Sequence, residues 1–245
     1  MPEQMLTETL ALVRKHPWWQ ARARMALAVL RANGIHPPKT IMDVGCGWGV
    51  NLDALEASGY KAVGMDISRN ILQMIDRPTR HLLQVDLRKP VPGFQAKADA
   101  LLLLDVIEHV DDDRQVTQHC GELLRPGGLG IVSVPARPDL FSAFDEIQGH
   151  RRRYLPDRLR AAFANTGLQV RQIFWWGQWM VPLLRRRNKS SSADKAASAR
   201  TYADYLRLPP WPGPLVMRLL YLWEQPRAIR GKLQTGTSLF AVVAK

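Results

Sequence analysis

Cysteine is scarce: Cys46 and Cys120 are the only two in a chain of 245 residues. They lie far apart in the sequence, which excludes a disulfide framework or a thiolate metal site. Long apolar runs are missing as well. None approaches the roughly eighteen residues that a bilayer-spanning helix needs. The first residues, Met1-Pro2-Glu3-Gln4, lack the basic stretch and apolar core of a secretory signal. The expected setting is therefore the reducing cytoplasm. Acidic residues are under-represented: 22 Asp and Glu face 34 Lys and Arg, a net charge of +12. The length suits one large α/β domain with elaborations, whose core needs no disulfide or metal to hold it.

The richest segment is Ile41-Met42-Asp43-Val44-Gly45-Cys46-Gly47-Trp48-Gly49. An apolar strand runs into a glycine-rich turn, and a helix pattern starts at Val50-Asn51-Leu52. Glycines let the backbone bend sharply and approach a ligand closely. The helix start offers free N–H groups and a positive dipole end. Together these suit a nucleotide-like cofactor. The spacing is not the dinucleotide fingerprint. The carboxylate of Asp43 would repel a pyrophosphate but suits a ligand carrying an ammonium group.

Further strands follow in βα order. Lys61 to Asp66 forms a second, and an acid at its end can accept hydrogen bonds from both hydroxyls of a ribose. Capping the helix that begins near Ser68 is the alternative role for Asp66. The run 81–85 forms a third strand, leading into Asp86 and Leu87. Residues 98–105 are continuously apolar between Asp99 and Asp105, as befits a central parallel strand buried on both faces. That strand opens into Asp105-Val106-Ile107-Glu108-His109, at the carboxyl edge where open α/β sheets bind ligands. A helix over about 112–124 stops before Pro126-Gly127-Gly128. Strand 129–134, helix 156–166, strand 168–176 and the last apolar run 238–244 complete the pattern. This order predicts a parallel sheet with helices on both faces.

The Asp-x-Gly-x-Gly-x-Gly loop resembles motif I of the class I S-adenosylmethionine-dependent methyltransferases. The resemblance extends through His16-Pro17-Trp18-Trp19, Asp105-Val106-Ile107-Glu108-His109 and Gly149-His150-Arg151-Arg152-Arg153-Tyr154 to a bacterial group of stand-alone methyltransferases. It implies a Rossmann-like seven-stranded sheet, mostly parallel, with the last strand antiparallel beside the sixth. It also implies S-adenosylmethionine as cofactor. Asp43, Gly45, Cys46, Gly47, Asp66, Ile67, Asp86, Leu87 and Asp105 would hold it, with Asp86 meeting the adenine amine and Leu87 covering the ring. The Asp-x-x-Glu-His segment is similar to the Glu-x-x-Glu-His of ubiquinone-pathway O-methyltransferases, which is linked to a divalent metal. Asp105 replaces the first glutamate, which leaves the metal open.

In-line methyl transfer mainly requires that a nucleophile be aligned and its proton removed. His109 and His150 are the candidate bases, since imidazole titrates near working pH. Arg151, Arg152, Arg153 and Tyr154 are candidates for an anion clamp on the substrate. Trp18, Trp19 and Arg22 are expected in an N-terminal helical lid, residues 1–35, with packing on the fold as the alternative. The cofactor domain is expected over 36–177 and 235–245, and a basic, Trp-containing insertion for substrate or membrane contact over 178–234.

From Arg185 to Lys232, eleven Lys and Arg face three acids, a local excess of +8. The run Phe174-Trp175-Trp176 to Arg185-Arg186-Arg187 and the segment Leu215 to Trp223 carry tryptophans, aliphatics and arginines. They suit an anionic membrane surface, here the inner membrane, or packing on the domain. Residues 189–199 read as a mobile stretch. The leading expectation is O-methylation of an amphipathic or lipid-linked small molecule. RNA methylation is weakened because no RNA-binding module and no Asn-Pro-Pro-Tyr-type motif occurs. A binding protein that keeps the pocket without catalysis is the third reading. Oligomeric state is not legible.

Overall fold

The computed structural model describes residues 3–190 and 203–245. Its centre is a seven-stranded sheet in the order β3-β2-β1-β4-β5-β7-β6. The strands are β1 (Thr40–Val44), β2 (Lys61–Asp66), β3 (His81–Gln84), β4 (Ala98–Leu104), β5 (Leu124–Pro135), β6 (Gln169–Trp176) and β7 (Ser238–Ala244). The first five run parallel, and β7 inserts antiparallel between β5 and β6. Leu239 accordingly pairs with Val134 on one side and Trp175 on the other. The expected sheet, including its antiparallel last strand, is the one the chain forms.

The helices are α1 (Glu3–Lys15), α2 (Pro17–Ala32), α3 (Val50–Ala57), α4 (Arg69–Ile75), α5 (Asp113–Leu123), α6 (Ala143–Gln148), α7 (Pro156–Ala161), α8 (Val181–Ser190) and α9 (Gly213–Ile229). Two apolar clusters sandwich the sheet. One holds Met25, Leu30, Leu52, Leu102 and Phe240, the other Met42, Leu101, Leu103, Val132 and Tyr154. Alternate residues of β4 serve opposite clusters, which is why that strand reads as one uninterrupted apolar run. Among the described residues no helix is long and apolar enough to cross a membrane.

Three boundaries differ from the sequence reading. β5 starts at Leu124, which pairs with Ala98; the register then shifts before Leu129 meets Ala100. Pro126-Gly127-Gly128 therefore forms an irregularity within a strand rather than a turn ahead of it. α7 stops at Ala161, because Asn165 and Gly167 take left-handed backbone conformations (φ 63° and 76°) that end the helical path. β3 ends one residue early, at Gln84, although Val85 N still donates to Asp66 O at 2.9 Å.

Within the expected lid, α2 is anchored to the domain. α2 buries Trp19, Met25, Val29 and Leu30 and packs on α3 and α9. Its N-terminus is capped by His16, whose Nδ1 accepts from Trp18 N at 3.1 Å. In the 174–187 segment, packing prevails at the front: Phe174 and Trp176 are buried, and Trp176 sits among Trp18, Tyr221 and Phe240. The expected mobile stretch 189–199 lies largely outside the described residues.

Candidate active site

A cavity of about 700 Å³ opens at the carboxyl edge of the parallel strands. One end is formed by the glycine loop. Gly45 has φ 78°, and a Cβ there would stand 2.4 Å from Val106 Cγ2, so only glycine fits. Gly47 has φ 45°, and a Cβ there would meet nothing within 4 Å. The loop is thus pressed against Val106 on one side and open on the other. Gly49, at φ 72°, turns the chain into α3.

Asp66 ties this loop to β2. Its Oδ2 accepts from Gly47 N at 2.8 Å and its Oδ1 from Ser68 N at 3.0 Å, while the side chain borders the cavity. The helix that follows is capped by Ser68, whose Oγ accepts from Ile71 N at 3.2 Å, so the capping alternative for Asp66 falls away and its spare lone pairs face the cavity side of the loop. Burial pushes its pKa up. Cys46, Gly45, Gly47, Ile67, Asp86 and Leu87 all border the cavity as well. Asp86 is bridged by Arg88, whose Nε and Nη2 donate to it at 2.8 Å each. Asp43 stands behind the wall. It is buried, Oδ1 accepts from Asn51 Nδ2 at 3.2 Å, and Oδ2 has no partner among the described residues. The orphaned oxygen and the open space beside Gly47 both fit a group bound on this loop.

Asp105 closes β4 in a left-handed conformation, φ 56°, an unusual state for a residue with a side chain. The turn aims its carboxylate at buried Arg22 of α2 and at Ser133 Oγ, 3.1 Å away. Arg22 in turn lies over Trp18, 5.1 Å from the ring centroid. Arg22 therefore serves as the counter-charge of Asp105, and both residues border the cavity together with Trp18 and Trp19.

The second wall is a histidine pair. The rings of His109 and His150 meet edge to face, 4.8 Å apart. His150 Nδ1 lies 2.9 Å from Asp145 Oδ1. A carboxylate can only accept, so Nδ1 donates and Nε2 is left as the free ring nitrogen. Nε2 lies 3.9 Å from Glu108 Oε1. Asp145 also accepts from Arg153 Nε at 2.8 Å and Nη2 at 3.0 Å, and from Ser142 N at 3.0 Å. Burial opposes its ionisation, but the His150 hydrogen bond and the Arg153 charge outweigh it and hold its pKa below the usual carboxylate range. Glu108 is the opposite case. It is fully buried with neither oxygen hydrogen-bonded among the described residues, and burial beside Asp105 drives its pKa well up. Burial, with His150 adding, lowers His109 to about 3, so its ring is neutral.

Glu108, His109 and His150 bring one ligand atom each within 4.8 Å of one another. Their donor chemistry, and the orphaned Glu108 oxygens, fit a divalent cation.

The arginine run is mostly spent on the protein. Arg152 Nη2 donates to the carbonyls of Val110 (2.9 Å) and Asp111 (3.0 Å), and Arg153 is paired with Asp145. Arg151 Nε donates to His109 O at 3.0 Å. Tyr154 is buried and donates to Asp113 Oδ2 at 2.9 Å. Arg151 and Arg153 border the cavity, whereas Arg152 and Tyr154 stand behind it, holding the His150 loop in place. The anion clamp expected at this run is thus already occupied by internal acids and carbonyls.

Part of the cavity falls within the 178–234 insertion that the sequence marked for substrate or membrane contact. Trp179, Met180, Leu183 and Leu184 at the start of α8, Tyr205 to Pro209, and Met217 of α9 make a mostly apolar third wall. Glu108 was legible as a motif member but not as a neighbour of His150.

A family model described as a methyltransferase domain matches residues 18–173. A ubiquinone biosynthesis O-methyltransferase of Nitrosomonas europaea is 31% identical over 138 residues, covering 49% of this chain and 57% of that protein. The namesake enzyme of Pseudomonas paraeruginosa is 25% identical over 189 residues, covering 64% of this chain and 80% of its own. The chain spans little more than half the length of the first of these. Among solved structures, an S-adenosylmethionine-dependent methyltransferase from Archaeoglobus fulgidus superposes with a TM-score of 0.55 at 16% identity, covering 91% and 94% of the two chains.

Proposed function

This chain belongs to the methyltransferase-domain family, and from that premise we propose that it transfers the methyl group of S-adenosylmethionine to an oxygen of an amphipathic, lipid-linked small molecule. The observation that carries the reading is the Asp145–His150 pair, in which His150 lines the same cavity as the glycine loop and keeps a free Nε2. The mostly apolar third wall supports an acceptor with a greasy tail. The named relatives, enzymes of ubiquinone biosynthesis, point to the same class.

When bound, S-adenosylmethionine supplies an electrophilic methyl group on a sulfonium. The glycine loop, Asp66 and Asp86 hold it, with Ile67 and Leu87 against its base, and Asp43 sets the loop from behind. His150 Nε2 takes the proton of the acceptor hydroxyl, and Asp145 stabilises the imidazolium that forms. Neutral His109 completes the polar edge on which the hydroxyl is oriented. A divalent cation held by Glu108, His109 and His150 would occupy that Nε2 and would supply Lewis-acid polarisation of the hydroxyl in place of the proton transfer to His150. The setting that suits such an acceptor is the cytoplasmic face of the inner membrane.

Titration calorimetry with S-adenosylmethionine and S-adenosylhomocysteine tests the cofactor. We expect binding by the wild type and at least about tenfold weaker binding by Asp66→Ala, which loses two charge-assisted contacts. Incubation with labelled cofactor and a cell extract tests the acceptor. Counts in the organic phase are the expected result, and counts in precipitated RNA would replace this reading with RNA methylation.

A further inference from the structure

α9 has two faces of different character. Its inner face, Met217, Tyr221, Glu224 and Ala228, packs on α2 and β6, and Met217 reaches the cavity. Its outer face is apolar and uncovered: Leu215, Leu219, Leu222 and Trp223 are 41, 56, 51 and 60% exposed, and Trp211 just before the helix is 78% exposed. The spacing puts the four helical residues on one stripe. Scattered exposed apolar side chains need no explanation, but a contiguous row with two tryptophans does.

Within α9 the exposed charge has one sign. The only acid in α9 is Glu224, and it is buried, its Oε1 accepting from Gly177 N at 2.6 Å and Gln178 N at 2.9 Å. The exposed polar residues beside the row include Arg218 and Arg227, the latter stacked 4.7 Å from the Trp223 ring centroid. Arg24 of α2 adds a third guanidinium. Its Nε and Nη2 are buried without a partner among the described residues, so it adds positive charge near Arg218 without offering those atoms to an outside ligand.

We propose that the outer face of α9, with the exposed Arg218 and Arg227 at its edges, docks on an anionic lipid bilayer. The tryptophans and leucines enter the headgroup–acyl boundary while the guanidiniums meet lipid phosphates. The helix is then a partition with the bilayer on one side and the cavity on the other, so a membrane-held acceptor has a short path past Leu183, itself 57% exposed and on the cavity wall. This inference rests on the lipid-linked acceptor proposed above for its purpose, though the docking itself is measured without any acceptor.

The test is co-sedimentation of the full chain with vesicles of phosphatidylcholine, with and without phosphatidylglycerol, at low and high salt. We expect pelleting only with phosphatidylglycerol, weakened about tenfold or more at high salt. The double variant Leu219→Glu/Trp223→Glu should lose at least about tenfold in vesicle partitioning. It should keep the wild-type calorimetric affinity for S-adenosylhomocysteine, which certifies its fold. The proposal is overturned if the wild type stays in the supernatant, or if the variant pellets equally well. It also falls if light scattering finds a dimer that the variant dissolves while vesicles are ignored, making this face a subunit interface. Cofactor affinity on the same samples separates failure of docking from failure of the methyltransferase reading.

Discussion

Asp145 lies five residues before His150, on a short helix closed by Gly149 at φ 75°. That left-handed cap folds the chain back so that His150 N donates to Asp145 O at 2.8 Å and the imidazole falls onto the carboxylate of the same residue. Asp145→Asn keeps the shape but can present its amide to Nδ1 and reverse the tautomer. We expect turnover to fall on the order of 10²-fold with cofactor affinity unchanged, read by steady-state kinetics beside calorimetry. Asp43 gives a prediction in pH. Burial pushes its carboxyl up to about 7 in the folded chain, against about 3.9 when unfolded. Between these values the folded chain holds a proton that the unfolded chain has lost. The stabilisation from this group is therefore complete below about pH 4 and declines as the pH rises to about 7. Asp43→Asn has no such proton, so its melting temperature should drop less than that of the wild type between about pH 5 and pH 7.

At the scale of elements, what is local was legible and what is assembled was not. The glycine loop and the strand ends at Asp66 and Asp105 read directly from residue types, because a sharp turn and a buried strand each demand a particular composition. The Asp145–His150 pair depends on a left-handed cap, and the role of Arg22 as partner of Asp105 spans 83 residues of sequence. No spacing rule reaches that far. The membrane reading of the tryptophans divided in the same way. Trp176 carries the same residue type as Trp223, yet it pairs with β7 and is enclosed, while Trp223 lies on the outer stripe of α9. Glu224 joins these elements, holding the Gly177–Gln178 turn that leads into α8. Glu224→Leu leaves the N–H groups of buried Gly177 and of Gln178 without their acceptor. We expect it to lower unfolding free energy by about 1–3 kcal/mol in urea titrations, without altering the calorimetric signature of the glycine loop.

On the scale of the whole molecule, the cavity draws on α2, on the loops after β1, β2, β4 and β5, and on the stretch between β6 and β7. A ligand bridging these parts should stiffen all of them together. With S-adenosylhomocysteine at about a hundred times its dissociation constant, linkage predicts about 2.7 kcal/mol of stabilisation. For a domain of this size that is a rise of about 5–10 °C in melting temperature by scanning calorimetry. The topology also sets an order of birth. β6 stands at the sheet edge with β7 as its neighbour, and β7 begins some sixty residues after β6 ends. A ribosome therefore delivers Ile173-Phe174-Trp175-Trp176 well before the strand that will cover it, and β5 waits with it for the same late arrival. Through that interval the nascent chain carries β6 without a partner and β5 with one open edge, the kind of segment that chaperones recognise and that aggregates when synthesis outpaces folding.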